Sequence, residues 1–189
     1  FLFREVLGRD LPWLAGIVRA RGPSRLPVVL SRAEVHAVLN AMTGVPRIAA
    51  TLLYGSGLRL MECCSLRVKD LDFAREQITV RSGKGAKDRV TVLPGAVAGL
   101  LHAHLEQVRE AHRADVADGN GWVALPAHGA HTASAGREWI WQWVFPATRA
   151  YVDEKSGRRL RHHLHQTVIQ DAVRFAVTAA GISKRATCH

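Results

Sequence analysis

Residues 77–94 read QITVRSGKGAKDRVTVLP, and within them the period of the chain changes. Ile78 and Val80 alternate with polar residues, Val90 and Val92 do the same, and the SGKGAKD between them is rich in turn formers. This predicts a β-hairpin whose tip carries Lys84 and Lys87. A connection of that length asks for a purpose.

On both sides the apolar residues return to helical spacing. LSRAEV at 30–35 opens a helix, with Ser31 as N-cap, Glu34 closing a capping box, and Leu30 and Val35 placed as a hydrophobic staple. Val35, Val38, Leu39 and Met42 give it one apolar face, and Gly44 is read as its end. A second helix is predicted from Pro46 through RIAATLLY, with Tyr54 on its core side. GSG at 55–57 breaks it, and a short third helix carries LRLMECCSL at 58–66. Downstream, Val97, Leu100, Leu101, Leu105 and Val108 are spaced for burial on a helix from Pro94 to about Arg113. The segment 121–165 reads as irregular apart from a short aromatic stretch. QTVIQDAVRFAVTAAG at 166–181 predicts a last helix that buries Val168, Ile169, Val173, Ala176 and Val177 and ends at Gly181. The expected class is mainly α with one small antiparallel β-sheet (α+β).

A hydrophobic fraction of 48% is enough for a packed core, which argues against disorder. The formal net charge is +10 with histidines neutral. Its excess lies at the ends: 8 basic against 3 acidic residues over 1–60, 9 against 9 over 61–120, and 9 against 4 over 121–189. A basic excess of this size points to a polyanionic partner, because neutralising phosphates releases counterions; plain solubility is the blander account. Three cysteines, two of them adjacent at Cys63 and Cys64, do not make a disulfide framework and fit a reducing compartment. No apolar run approaches the roughly 20 residues of a membrane span, and no signal peptide opens the chain, so a cytoplasmic location is expected. Gly22, Pro23 and Pro27, set among arginines, mark a basic linker, and a domain is expected to start near Leu30.

Two groups of residues suggest chemistry. Arg59 follows a glycine break in the first turn of a helix, where its guanidinium and free backbone N–H groups can converge on an anion, and Glu62 three residues on can hold it in one rotamer. The alternative is an ordinary surface ion pair. Lys84, Lys87 and Arg89 crowd around Gly83 and Gly85, so the hairpin tip could enter a nucleic-acid groove and a lysine there could protonate a leaving oxygen. The alternative is a solvated hairpin whose lysines guard an exposed edge.

Together, LLYGSGLRLMECCSLRVKDLDF at 52–73 and ITVRSGKGAKDRVTVLP at 78–94 closely resemble the catalytic domain of tyrosine recombinases, the phage-integrase superfamily. AGREWIWQWVFPATR at 135–149, RRLRHHLHQTVIQDAVR at 158–174 and AAGISKRATCH at 179–189 resemble one branch, the integron integrases. The resemblance implies that Arg59 binds the scissile phosphate, that Lys84 is general acid toward the leaving 5′-hydroxyl, and that His189 is the first residue of a His-x-x-Arg box. Glu62 would support Arg59. It implies a remnant of an N-terminal core-binding domain at 1–15, the linker at 16–29, and a partial catalytic domain at 30–189 with a Trp-rich insert at about 121–165. Neither Tyr54 nor Tyr151 matches the family's nucleophile. A chain that stops at His189 is therefore expected neither to nick nor to join DNA, and to be a monomer where the complete family forms tetramers on DNA.

Within the insert, Trp139, Trp141, Trp143, Phe145 and Pro146 fall in one short run. Aromatic faces beside basic residues suit stacking on unpaired bases, though some of these tryptophans are expected to pack a small core. Integron integrases are similar in using an extra helix to read extrahelical bases of a folded single-stranded cassette site. On that resemblance Trp139 or Trp141, Pro146, His162 and His163 are the candidate base contacts, while Lys87 and Arg89, at the hairpin tip, are expected to contact DNA. PAHGAHTASAGREW at 126–139 departs from the branch, being small and mostly uncharged where relatives carry Lys, Tyr and Pro, which implies weaker affinity for the folded strand. A zinc site from His162, His163, His165, Cys188 and His189 is not favoured, since adjacent histidines point apart and the spacing fits no common pattern. No cofactor or metal is expected. DNA is the expected partner, as folded single-stranded cassette sites and duplex integration sites. A non-catalytic DNA-binding module and a phage-type integrase acting on duplex sites stay open as alternatives.

Overall fold

The change of period at 77–94 is reproduced in the computed structural model, which describes residues 2–9, 28–81, 88–126, 132 and 134–188. Lys84, Lys87 and His189 lie outside the described residues, as does most of the expected linker. Residues Leu2–Val6 form a single π-helical turn.

Helix α1 (Arg32–Asn40) starts on the expected capping box. The Glu34 N–H donates to Ser31 Oγ at 3.2 Å, and the Ser31 N–H donates to Glu34 Oε2 at 2.7 Å. The same carboxylate takes a 2.8 Å bond from Lys184 Nζ, which pins the last described segment to the start of α1. Helix α1 stops at Asn40, ahead of Gly44.

Helix α2 (Gly44–Ser56) begins two residues before Pro46. Proline is tolerated there because the first four N–H groups of a helix have no intrahelical partner. Ile48, Ala49 and Leu52 face the core, whereas Tyr54, two residues round the helix from Leu52, is 54% exposed and not a core residue as its neighbours suggested. Gly57 ends α2 in the left-handed conformation at φ 62°, which favours glycine. Helix α3 (Leu60–Cys64) follows at once.

The hairpin is there, with a third strand that the alternation did not announce. Strands β1 (Leu71–Asp72), β2 (Gln77–Val80) and β3 (Arg89–Val92) form an antiparallel sheet in that order. The register sets Ile78 opposite Thr91 and Val80 opposite Arg89. Ile78 and Val80 are buried as expected, but β3 is inverted in phase: Val90 and Val92 are 59% and 52% exposed while Arg89 and Thr91 face inward. Polar partners explain the inversion. Thr91 Oγ1 donates to the Ser56 carbonyl at 2.7 Å, and Arg89 reaches Glu62.

Helix α4 (Gly95–Ala117) runs four residues past its expected end. It buries Val97, Leu101 and Leu105, but Leu100 is 51% exposed and His104 takes an inward position instead, its Nε2 2.8 Å from the Val144 carbonyl. Helix α5 (Gln166–Ala179) buries Ile169, Val173, Ala176 and Val177 and leaves Val168 43% exposed. These helices and the inner face of the sheet share one core with Leu60, Leu66, Cys63, Cys64 and Phe145. Burial raises both buried thiols, Cys64 to about 11, so they are structural rather than reactive.

The segment 121–165 is more regular than its sequence indicates. Strands β4 (Pro146–Val152) and β5 (Arg159–His163) pair antiparallel, with an irregularity between Pro146 and Ala150. Neither strand alternates cleanly, which hid them. The tryptophan run, where the resemblance implied an extra helix, forms a one-turn 3-10 helix at Trp139–Trp141. Among the described residues no helix is long and apolar enough to cross a membrane.

Candidate nucleic-acid interface

Three elements meet on one carboxylate. Arg59 is the residue immediately before α3, Glu62 lies in that helix's first turn, and Arg89 opens β3. Glu62 Oε2 accepts the Arg59 backbone N–H at 2.8 Å and Arg89 Nη2 at 2.7 Å; Oε1 accepts Arg59 Nη1 at 2.6 Å and Arg89 Nη1 at 2.8 Å. The Glu62 side chain is 11% exposed, against 53% for Arg59 and 36% for Arg89. Hydrogen bonds from Arg89, then the Arg59 backbone and side chain, outweigh burial and hold the Glu62 pKa down at about 2. Two guanidiniums and one carboxylate leave a net positive charge with Arg59 open to solvent, an arrangement suited to an anionic group. The Arg59 N–H is capped by Glu62 and α3 has only five residues, so binding there falls to the guanidinium rather than to free backbone donors. Arg89, which the sequence groups with the lysines of the tip, opens β3 and is oriented by Glu62.

A second group surrounds the tryptophans. Arg67, 7% exposed, donates to the Trp141 carbonyl and, at 2.8 Å, to that of Ala124, and its guanidinium lies 3.8 Å from the centroid of the Trp143 ring. Burial draws its pKa down to about 10, so it stays charged at neutral pH. Backbone bonds from Val68 to the Gln142 carbonyl and from Val144 to the Leu66 carbonyl complete the junction. Trp143 is buried and its Nε1 donates to the Arg161 carbonyl, so this ring is core. Lys69 Nζ stands 3.1 Å from the Trp141 centroid and covers one face of that indole. Trp139 is half-buried beside His112 and Arg109.

Pro146 pairs with His163 across β4 and β5, and the His162 and His163 rings are 4.0 Å apart. The fold therefore brings Pro146, His162 and His163 together against Trp143, with Trp139 and Trp141 on the preceding turn. Among the described residues no group of three His, Cys, Asp or Glu is placed to hold a metal ion.

Residues 29–189 match the family model of the phage integrase family. The chain belongs to that family. An Escherichia coli protein named integrase/recombinase is 45% identical over 190 residues, a match that takes in 100% of this chain and 56% of the relative, so the chain spans about half the length of such relatives. The crystal structure of XerA recombinase superposes with a TM-score of 0.53 at 23% identity, covering 100% of this chain and 54% of the other. XerH site-specific recombinase bound to difH substrate gives a TM-score of 0.54 at 17% identity, over 91% of this chain and 42% of the other. At those identities the likeness is one of fold.

The fold brings Arg59, Glu62 and Arg89 together, as expected of candidate site residues, and it also gathers Arg67, Lys69, Asp70 and Arg81, which the sequence did not single out. Asp70 Oδ2 accepts the Arg67 N–H at 3.0 Å, and its Oδ1 accepts Arg81 Nε at 2.7 Å. The signal available was the charged Arg67 set directly between Leu66 and Val68, both turned inward around it.

Proposed function

We propose that the full-length protein containing this chain is a site-specific DNA recombinase of the tyrosine type, and that it belongs to the integron integrase branch. The Arg59–Glu62–Arg89 arrangement carries this reading: a solvent-facing arginine locked by a saturated carboxylate at the root of a lysine-bearing hairpin. In this scheme Arg59 donates to a non-bridging oxygen of the scissile phosphate, where pre-set donors act most strongly as charge develops. A tyrosine outside the 189 residues attacks phosphorus, the bond to the 5′-oxygen breaks, and Lys84 gives that oxygen its proton. His189 supplies a further phosphate contact. Residues 30–189 belong to the catalytic domain, residues 16–29 are the basic linker, and residues 1–15 belong to a core-binding domain that helps enclose DNA. The protein works in the cytoplasm as an assembly of copies on DNA. The tryptophan-rich segment, with Pro146, His162 and His163, supports the integron assignment by offering aromatic and imidazole faces to unpaired bases.

The test uses the full-length protein on a nicked suicide substrate. A covalent protein–DNA adduct that is lost in Arg59→Ala is the expected result. Binding without an adduct under any condition would instead mark a non-catalytic DNA-binding module. A folded cassette-site hairpin should bind distinctly better than the same hairpin without its extrahelical bases; equal binding, with a preference for duplex, would make this a duplex-acting integrase.

A further inference from the structure

We propose that Lys69 and Arg81 form a second binding site for a backbone phosphate of nucleic acid, at the same end of the sheet as the Arg59 cluster. The proposal rests on DNA being the partner.

Arg67, Lys69 and Arg81 are gathered around a single carboxylate. Asp70 is 5% exposed, and its two oxygens accept from the Arg67 backbone and from Arg81 Nε. The Arg67 guanidinium is already engaged by two carbonyls and the Trp143 ring. Lys69 has no ion pair among the described residues; its ammonium instead rests on Trp141, with the Arg81 and Arg67 charges near enough to oppose its own. Three cations share the neighbourhood of one carboxylate, which only Arg81 contacts through its charged group, and two positive charges are left unneutralised. Holding like charges together costs free energy that an incoming anion offsets.

The place of this group in the fold selects the anion. Arg81 directly follows Val80, and Val80 pairs with Arg89. Lys69 lies just ahead of β1, Arg81 just after β2 and Arg89 at the start of β3, so the two groups lie at the same end of the sheet. One polyanionic backbone can run across both. The Arg81 side chain is 47% exposed, and Lys69 is held in place by Trp141, so both cations are positioned before a ligand arrives.

The experiment measures DNA affinity of the full-length protein by fluorescence anisotropy across a series of salt concentrations. Each phosphate contact contributes about 0.9 to the log–log salt slope on duplex and about 0.7 on single strands. Lys69→Gln is expected to reduce the slope by about one contact, and the double variant Lys69→Gln with Arg81→Gln by about two. Arg75→Gln removes the same charge in the turn at the opposite end of the sheet and should leave the slope unchanged. Lys69→Gln breaks no ion pair among the described residues, so its result stands even if Arg81→Gln unfolds the protein by stranding Asp70. If the unaltered protein binds with a steep slope that Lys69→Gln shifts no more than Arg75→Gln does, this proposal fails and the recombinase reading survives. If the unaltered protein does not bind DNA, both fail.

Discussion

Replacing Glu62 by Gln leaves the shape of the Arg59–Glu62–Arg89 junction and removes its negative charge. The amide keeps one acceptor oxygen and turns an NH₂ toward donors that a carboxylate had satisfied. The depression of the Glu62 pKa from the ordinary 4.5 to about 2 sets the upper bound on the effect. At about 1.4 kcal/mol per pKa unit that is ~3.4 kcal/mol at neutral pH. Both guanidiniums stand partly in water, and screening brings the expected loss down to about 2 kcal/mol. The sign with pH follows from the direction of the shift. A carboxylate whose pKa is lower in the folded state contributes fully above about pH 4.5 and loses that contribution as the pH falls toward about 2. Glu62→Gln has nothing to lose in that window, so the gap between the two proteins should narrow to less than half by about pH 3. Urea unfolding at pH 7 and pH 3, with unchanged m-values, measures it. A gap under about 0.5 kcal/mol at pH 7, the size of an ordinary surface pair, or an equal gap at both pH values, would refute the reasoning.

Three further expectations follow from packing and burial. Ile169→Ala should cost about 3 kcal/mol in urea unfolding and the adjacent Val168→Ala under about 0.5 kcal/mol; similar costs would mean that the inward face of α5 is wrongly assigned. Gly55→Ala puts a Cβ 2.4 Å from Pro94 Cγ, and because the proline ring cannot swing aside the loss should be about 1–3 kcal/mol; a melting temperature equal to that of the unaltered protein would contradict the contact. Burial lowers the His104 pKa, so the unfolded chain takes up a proton first and stability should fall as the pH drops below about 6.5. His104→Gln should flatten that fall in pH-dependent thermal melts without abolishing it, since His112 and His163 are shifted the same way by burial.

The hairpin, the capping box of α1 and the Arg59–Glu62 pair were legible because each depends on neighbours in sequence. Ser31 and Glu34, or Arg59 and Glu62, are three residues apart, and a three-residue spacing on a helix start is a local geometric fact. What the sequence did not disclose depends on contacts made at long range. Val90 and Val92 look like core until Arg89 is seen to be drawn inward by Glu62, a residue 27 positions away. Leu100 yields its place to His104 because a carbonyl at Val144 waits for the imidazole. Strands β4 and β5 carry arginines where alternation would ask for apolar residues, since Arg161 is satisfied by Asp115 at 2.6 Å rather than by solvent. Arg67 is the same lesson in reverse: the hydrogen-bond acceptors of its guanidinium are backbone oxygens, which no side-chain identity announces.

That last feature bears on how this protein can change. Arg67 grips Trp141 and Ala124 by their carbonyls, and Val68 and Val144 join the two segments through main-chain bonds, so the junction is indifferent to most side chains beyond it. Substitutions at the exposed positions of the tryptophan-rich segment can accumulate without loosening its attachment, as long as the buried Gln142, Trp143, Val144 and Phe145 are kept. A lineage, or an engineer, could exchange the residues that face outward there and retune what is recognised while the Arg59 centre keeps its geometry.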